Sequence, residues 1–292
     1  MLWLMKRSLL PLALLLPALA LGTNRPLVCV GLPPQRWLVR QVAGDRVDVG
    51  VLLAPGQNPH TFEPTARQVR ELTRADLYLT IGFPFERTVI ARVRQIAPRW
   101  KSADVAAGVP RRRGEGADAQ TRGDEHGDGD AADGADPHVW LAPSNMALVA
   151  SNTVAALAAL DPAGAAAYAA GLERLRGTLG ALDADLRREL APAAGRVLLA
   201  YHPSWGYFCD AYGLRQVAIE AEGRPPTARQ LAAILDLARQ EKVAAVFTEP
   251  AYDPRPAEIL ARQVGARAVR LDPLAEEWDT NLRVVARAIL AR

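Results

Sequence analysis

Hydrophobic and polar positions along this chain change period several times, and the changes mark out its elements. A short apolar run from Pro26 to Gly31 predicts a buried strand, and Arg36 to Val42 a helix after it. Val47 to Leu53 reads as a second strand. A helix then starts at Thr65, with Ala66, Val69 and Leu72 at helical spacing. Ala75 to Gly82 predicts a third strand closed by glycine, and Glu86 to Ile96 a further helix. Ser144 is placed to cap a helix running through Leu160.

The longest helical pattern covers Gly164 to Leu190. Leu172, Leu175, Leu179, Leu182, Leu186 and Leu190 recur at spacings of three and four. Pro162 precedes this stretch, and Pro192 and Gly195 end it. At 1.5 Å per residue the helix spans roughly 40 Å, the scale of a whole domain. Beyond it the alternation restarts. Strands are expected at Val197–Tyr201, Gln216–Ile219, Val243–Thr248 and Ala266–Leu271, with helices from Thr227, Pro256 and Glu276. Strands alternating with helices argue for parallel sheets covered on both faces. The expected architecture is therefore α/β: two Rossmann-like lobes, at 21–163 and 193–292, joined by one long rigid helix over 164–192.

Two stretches fall outside this pattern. Residues 1–20 have a basic start at Lys6 and Arg7, an apolar core from Ser8 to Leu19, and an A-x-A site at Ala18-Leu19-Ala20. They read as an export signal, too short and too proline-broken for a membrane span, and predict a soluble periplasmic protein. Residues 111–136 are rich in Gly, Ala and acidic side chains after the basic trio Arg111 to Arg113. A tract of this composition buries little and is expected to be a mobile acidic loop. Its histidine, His126, reads as a solvated loop residue with at most weak affinity for a metal.

Composition narrows the function. The formal net charge of +3 falls by two once Lys6 and Arg7 are removed, which leaves no case for nucleic acid or acidic lipid as partner. The two cysteines, Cys29 and Cys209, cannot make a four-thiolate zinc site and form no CxxC motif. They are expected to be separate, buried and unpaired.

The chemistry lies with the histidines. There are only four, and three stand at comparable places beside prolines or strand ends: His60 between Pro59 and Pro64, His138 after Pro137, and His202 before Pro203. Imidazole is the commonest protein ligand for zinc-like ions, and stiff loops at strand ends can bring distant ligands together. A carboxylate would complete a tetrahedral set. The candidates are Glu249 and Asp272, each following a strand and preceding a proline. Trp140, Trp205 and Tyr207, close to the histidines in sequence, are expected to pack around them and exclude water.

The motifs PHTFEP (59–64), DPHVWL (136–141), YHPSWGYF (201–208), EAEGRPPT (220–227), FTEP (247–250) and LDPL (271–274) occur in that order. Together they resemble the ZnuA/TroA-like metal-binding proteins that feed ABC importers, the cluster A-I solute-binding proteins. The resemblance implies two α/β lobes bridged by a long helix, with the metal between them. It implies His60, His138 and His202 as ligands, Asp272 as the second-lobe carboxylate, and Glu249 as a neighbour able to orient a ligand histidine. It also implies zinc as cargo, an inner-membrane ABC permease as partner, a monomeric carrier and no catalytic turnover. Glu220 and Glu222 match a family motif near the cleft, but on physical grounds they read only as a turn and helix start.

Manganese-type relatives generally carry glutamate where His202 stands, and imidazole there favours zinc. Carriage of manganese or another divalent metal stays open as an alternative, as does a zinc hydrolase with Glu249 as base. One feature departs from the family: zinc members often have a histidine-rich loop where this chain has an acidic one.

Overall fold

The computed structural model describes residues 25–114, 134–220 and 224–291. The proposed export signal, His126 and Glu222 lie outside the described residues.

The first sheet contains β1 (Leu27–Val30), β2 (Asp48–Val51), β3 (Leu77–Thr80) and β4 (Ser102–Asp104), in the order β2-β1-β3-β4. The second contains β5 (Val197–Ala200), β6 (Arg215–Ala218), β7 (Ala245–Thr248) and β8 (Arg267–Arg270), in the order β6-β5-β7-β8. Every ladder is parallel. The two sheets thus share one topology. In each, the winding reverses beside the first strand, where a crevice opens at the carboxyl ends of the strands.

The crossovers are helical. They are α1 (Pro33–Ala43), α2 (Ala66–Leu72), α3 (Pro84–Ile96), α6 (Gly206–Tyr212), α7 (Ala228–Gln240) and α8 (Arg255–Val264). Thr65 and Thr227 cap α2 and α7, each accepting from the amide of the glutamine three residues on. These are the polar-then-apolar starts that the sequence marks. The helix α4 (Pro143–Leu160) starts differently: Ala142 holds the cap position and Pro143 the first turn, so Ser144 is already inside the helix. Proline at that position loses no hydrogen bond, because the first-turn amides have no helical partner.

Between the sheets runs α5 (Ala165–Leu190), and α9 (Trp278–Leu290) closes the chain. The six leucines from Leu172 to Leu190 are buried, as are Tyr168 and Gly171. This stripe packs against α4, α1 and α9, so the long helix is core to both halves of the molecule. One continuous apolar core extends from the first sheet through α4, α5 and α9 to one face of the second sheet. A smaller cluster, including Leu199, Val246, Leu260 and Ala261, fills the other face under α7 and α8.

Two elements escape the hydrophobic pattern. The three-residue β4, Ser-Ala-Asp, is too short and polar to announce itself. The seven-residue α6 buries five of its residues, so it has no polar face to give a helical period. Cys29 and Cys209 are both buried and form no disulfide, and burial pushes the Cys29 thiol up to about 11. Such a thiol is inert at neutral pH.

Candidate metal site

Loops at the carboxyl ends of the strands bring three histidines to one point. His60 sits on the loop after β2, His138 just before a 3-10 turn at Val139–Leu141, and His202 two residues after β5. One ring nitrogen from each lies within 4.8 Å of the others, and this is the cluster suited to a metal among the described residues. The Nε2 atoms of His60 and His138 are 3.3 Å apart. Ring centroids are separated by 5.3 Å for His60–His138 and for His138–His202, and by 4.5 Å for His60–His202.

Two of these rings are fixed from behind. His138 Nδ1 is 2.8 Å from Asp136 Oδ1, and the same oxygen accepts from the His138 backbone amide. The other Asp136 oxygen takes Arg112 Nη1 at 3.0 Å, while Arg112 Nε reaches Asp210 on α6. Burial opposes the negative charge on Asp136. The bonds from His138 and Arg112 outweigh it, and the carboxyl titrates below its usual range. His202 Nδ1 is likewise paired with the buried Glu220. A carboxylate on Nδ1 keeps the proton there and turns Nε2 inward as a lone-pair donor.

The buried His202 Nε2 has no hydrogen-bond partner. Leaving such an atom unpaired costs free energy unless something else takes the lone pair, and a divalent ion does so. His60 is exposed as a residue, but its ring packs between Phe83, His138 and His202. Desolvation, with the two neighbouring imidazoles adding to it, pushes its pKa down to about 2. Burial also lowers His202, with His138 adding to it and the Glu220 carboxylate opposing it. Neutral imidazoles are the form that binds metal.

Asp272 and Glu249 line the same cavity as the three histidines. Asp272 Oδ1 accepts from the Leu274 amide, which fixes the carboxylate just beyond β8. Burial raises its pKa. Glu249 holds a different position from the one expected of it. It accepts from the Ser204 hydroxyl, and among the described residues no histidine nitrogen is bonded to it. The carboxylates that pair with the histidines are Asp136 and Glu220. Glu249 emerges after β7, while Glu220 emerges after β6, on the other side of the His202 strand. Burial, reinforced by the charges of Asp272 and Glu220, pushes Glu249 up to about 8. It therefore retains its proton through most of the neutral range. Trp140, Trp205 and Tyr207 are buried as expected, and the Tyr207 hydroxyl donates to the Asp136 carbonyl.

Glu220→Gln tests the support behind His202. The amide is isosteric but uncharged, and losing such a partner typically weakens metal binding roughly 10- to 100-fold. Titration of the variant with zinc should show that drop, and an affinity within twofold of the parent would count against the role.

Comparisons with known proteins bear on the family and the fold. The high-affinity zinc uptake system protein ZnuA of Paracoccus denitrificans is 30% identical over 283 residues, covering 84% of each chain. A crystal structure of ZnuA superposes with a TM-score of 0.82 at 32% identity, covering 91% of this chain and 98% of that one. The solute-binding protein FpvC of Pseudomonas aeruginosa, solved with Mn2+, superposes at 0.76 with 26% identity, covering 91% and 99%. The family model described as zinc-uptake complex component A, periplasmic, matches residues 28–287, and the chain belongs to that family of metal-binding solute-binding proteins.

Proposed function

We propose that this protein captures zinc in the periplasm and delivers it to an inner-membrane ABC permease. His60, His138 and His202 supply three imidazole nitrogens, and Asp272 completes a four-coordinate set. The observation that carries the reading is the inward-facing, unpartnered Nε2 of His202, beside two further imidazole nitrogens. Two buried carboxylates hold the rings from behind, which presets the donors and reduces the ordering cost of binding.

The donor set also bears on which metal is carried. Three imidazoles and one carboxylate match a tetrahedral zinc site, whereas manganese prefers more oxygen ligands in a larger shell. In the order of divalent affinities manganese stands lowest and zinc well above it. Competition between the two by isothermal titration is expected to favour zinc by at least about 100-fold. Comparable affinities would shift the reading to a manganese carrier, the cargo in the FpvC structure. A hydrolase reading has less support: Asp272 as fourth ligand leaves no open position for a water, and Glu249 is engaged by the Ser204 hydroxyl.

The same titration tests the basic claim. Metal-stripped protein should take up one zinc ion per chain, and failure to bind any would end the proposal.

A further inference from the structure

The side of the cleft that carries Asp272 is tied to α9 by three hydrogen bonds, one direct and two that run in series through Trp140. Asn281 Nδ2 donates to the Asp272 carbonyl at 2.7 Å. Trp278, one helical turn earlier, donates from Nε1 to the Trp140 carbonyl at 2.9 Å. Trp140 returns the link, its own Nε1 donating to the Pro273 carbonyl at 2.8 Å. Trp140 and Trp278 are fully buried, and the Trp140 ring lies edge-on to His138 with centroids 5.4 Å apart.

These bonds make a closed circuit. His138 stands two residues before Trp140, and Asp272 one residue before Pro273, so the circuit joins a ligand-bearing segment of the first half to one of the second. Its base is braced as well. Trp278 packs on Trp37 of α1 at 5.1 Å between ring centroids, and Glu276 pairs with Arg36 and Arg40 of the same helix.

We infer that the first turn of α9 is a positioning clamp for Asp272, with Asn281 and Trp278 as its working residues. The inference rests on the proposed role of Asp272 as fourth ligand. Asp272 lines the cavity but is outside the tight nitrogen cluster, so its approach to the ion depends on where its loop is held. Asn281 donates to the backbone of residue 272 directly, and Trp278 acts one step back by holding Trp140, which donates to residue 273; neither touches the ion. They are therefore positioning residues.

Asn281→Ala is the mild test, because Asn281 is on a partly buried helix position and its loss removes a single bond. Trp278→Phe removes the indole donor while keeping most of the ring. In either variant, zinc affinity by competition with a chromophoric chelator should fall roughly three- to tenfold, the worth of one hydrogen bond. The decisive measurement is Asn281→Ala in an Asp272→Ala background, because Asn281 reaches the site only through the Asp272 carbonyl. There it should change affinity by less than about twofold, since the clamp acts only through that carboxylate.

Three results would overturn the clamp. Equal losses with and without Asp272 would mean a general structural effect. Parental affinity in both single variants, with Asp272→Ala weakened, would mean the loop needs no clamp. An Asp272→Ala protein that binds zinc like the parent would instead overturn the four-ligand reading, and the clamp would fall with it.

Discussion

His202→Ala is expected to weaken zinc binding by well over the roughly 10- to 100-fold that follows from losing an outer-shell partner. The reasons are cumulative. The substitution removes the one inward nitrogen that has no partner of its own. It also leaves Glu220, buried and paired through His202 Nδ1, with no histidine to hold. An uncompensated buried carboxylate is costly, so the metal-free protein should lose stability as well. His60→Ala offers the contrast. Its ring closes the site from the exposed rim and has no carboxylate behind it among the described residues, so zinc affinity should fall while the apo melting temperature barely moves. Calorimetric titration and thermal melts of both variants without metal separate the two effects. Zinc affinity within threefold of the parent for His202→Ala would sink the site assignment.

This contrast also shows what a sequence can and cannot reveal about such a site. His60, His138 and His202 were legible because each stands beside a proline, and together they are three of only four histidines in the chain. Strand ends lead to His60 and His202 where parallel α/β sheets open a crevice. Asp136 was within reach of the same reasoning, since it lies two residues before His138 and pairs with it locally. Glu220 was not. Its link to His202 spans 18 residues and depends on β6 lying beside β5, which no periodicity encodes.

Glu249 is a different case. Its place after a strand and before a proline is equivalent to that of Asp272, and the two are hard to separate on sequence grounds. Three dimensions separate them through their partners: Glu249 meets Ser204, and Asp272 is held by the amide of Leu274. The fold was more legible than the site. Thr65 and Thr227 begin their helices as the capping pattern predicts, and the leucine stripe of α5 is buried throughout. What escaped was short or uniformly apolar, namely β4 and α6, in which too few residues show a contrast for any period to be read.

The second large effect concerns the long helix. Gly171→Ala is expected to destabilise the protein by about 3 kcal/mol, although alanine is intrinsically the better helix former by roughly 1 kcal/mol. A methyl group at this position would lie 2.2 Å from the Val42 carbonyl oxygen, 2.8 Å from its carbon and 2.9 Å from its Cα. All three are backbone atoms near the end of α1, so no side chain can rotate away. To relieve the clash α1 must separate from α5, and α1 also carries Arg36, Arg40 and Trp37, which meet Glu276 and Trp278 at the start of α9. Gly177 and Gly180, on the same helix, have no atom within 4 Å of a added methyl. Alanine there should stabilise by about 0.5–1 kcal/mol through propensity alone. Chemical denaturation of the three metal-free variants therefore predicts opposite signs along one helix. A Gly171→Ala protein as stable as Gly177→Ala would show that α1 and α5 do not need this close approach, and that the helix is less rigidly seated than its buried stripe implies.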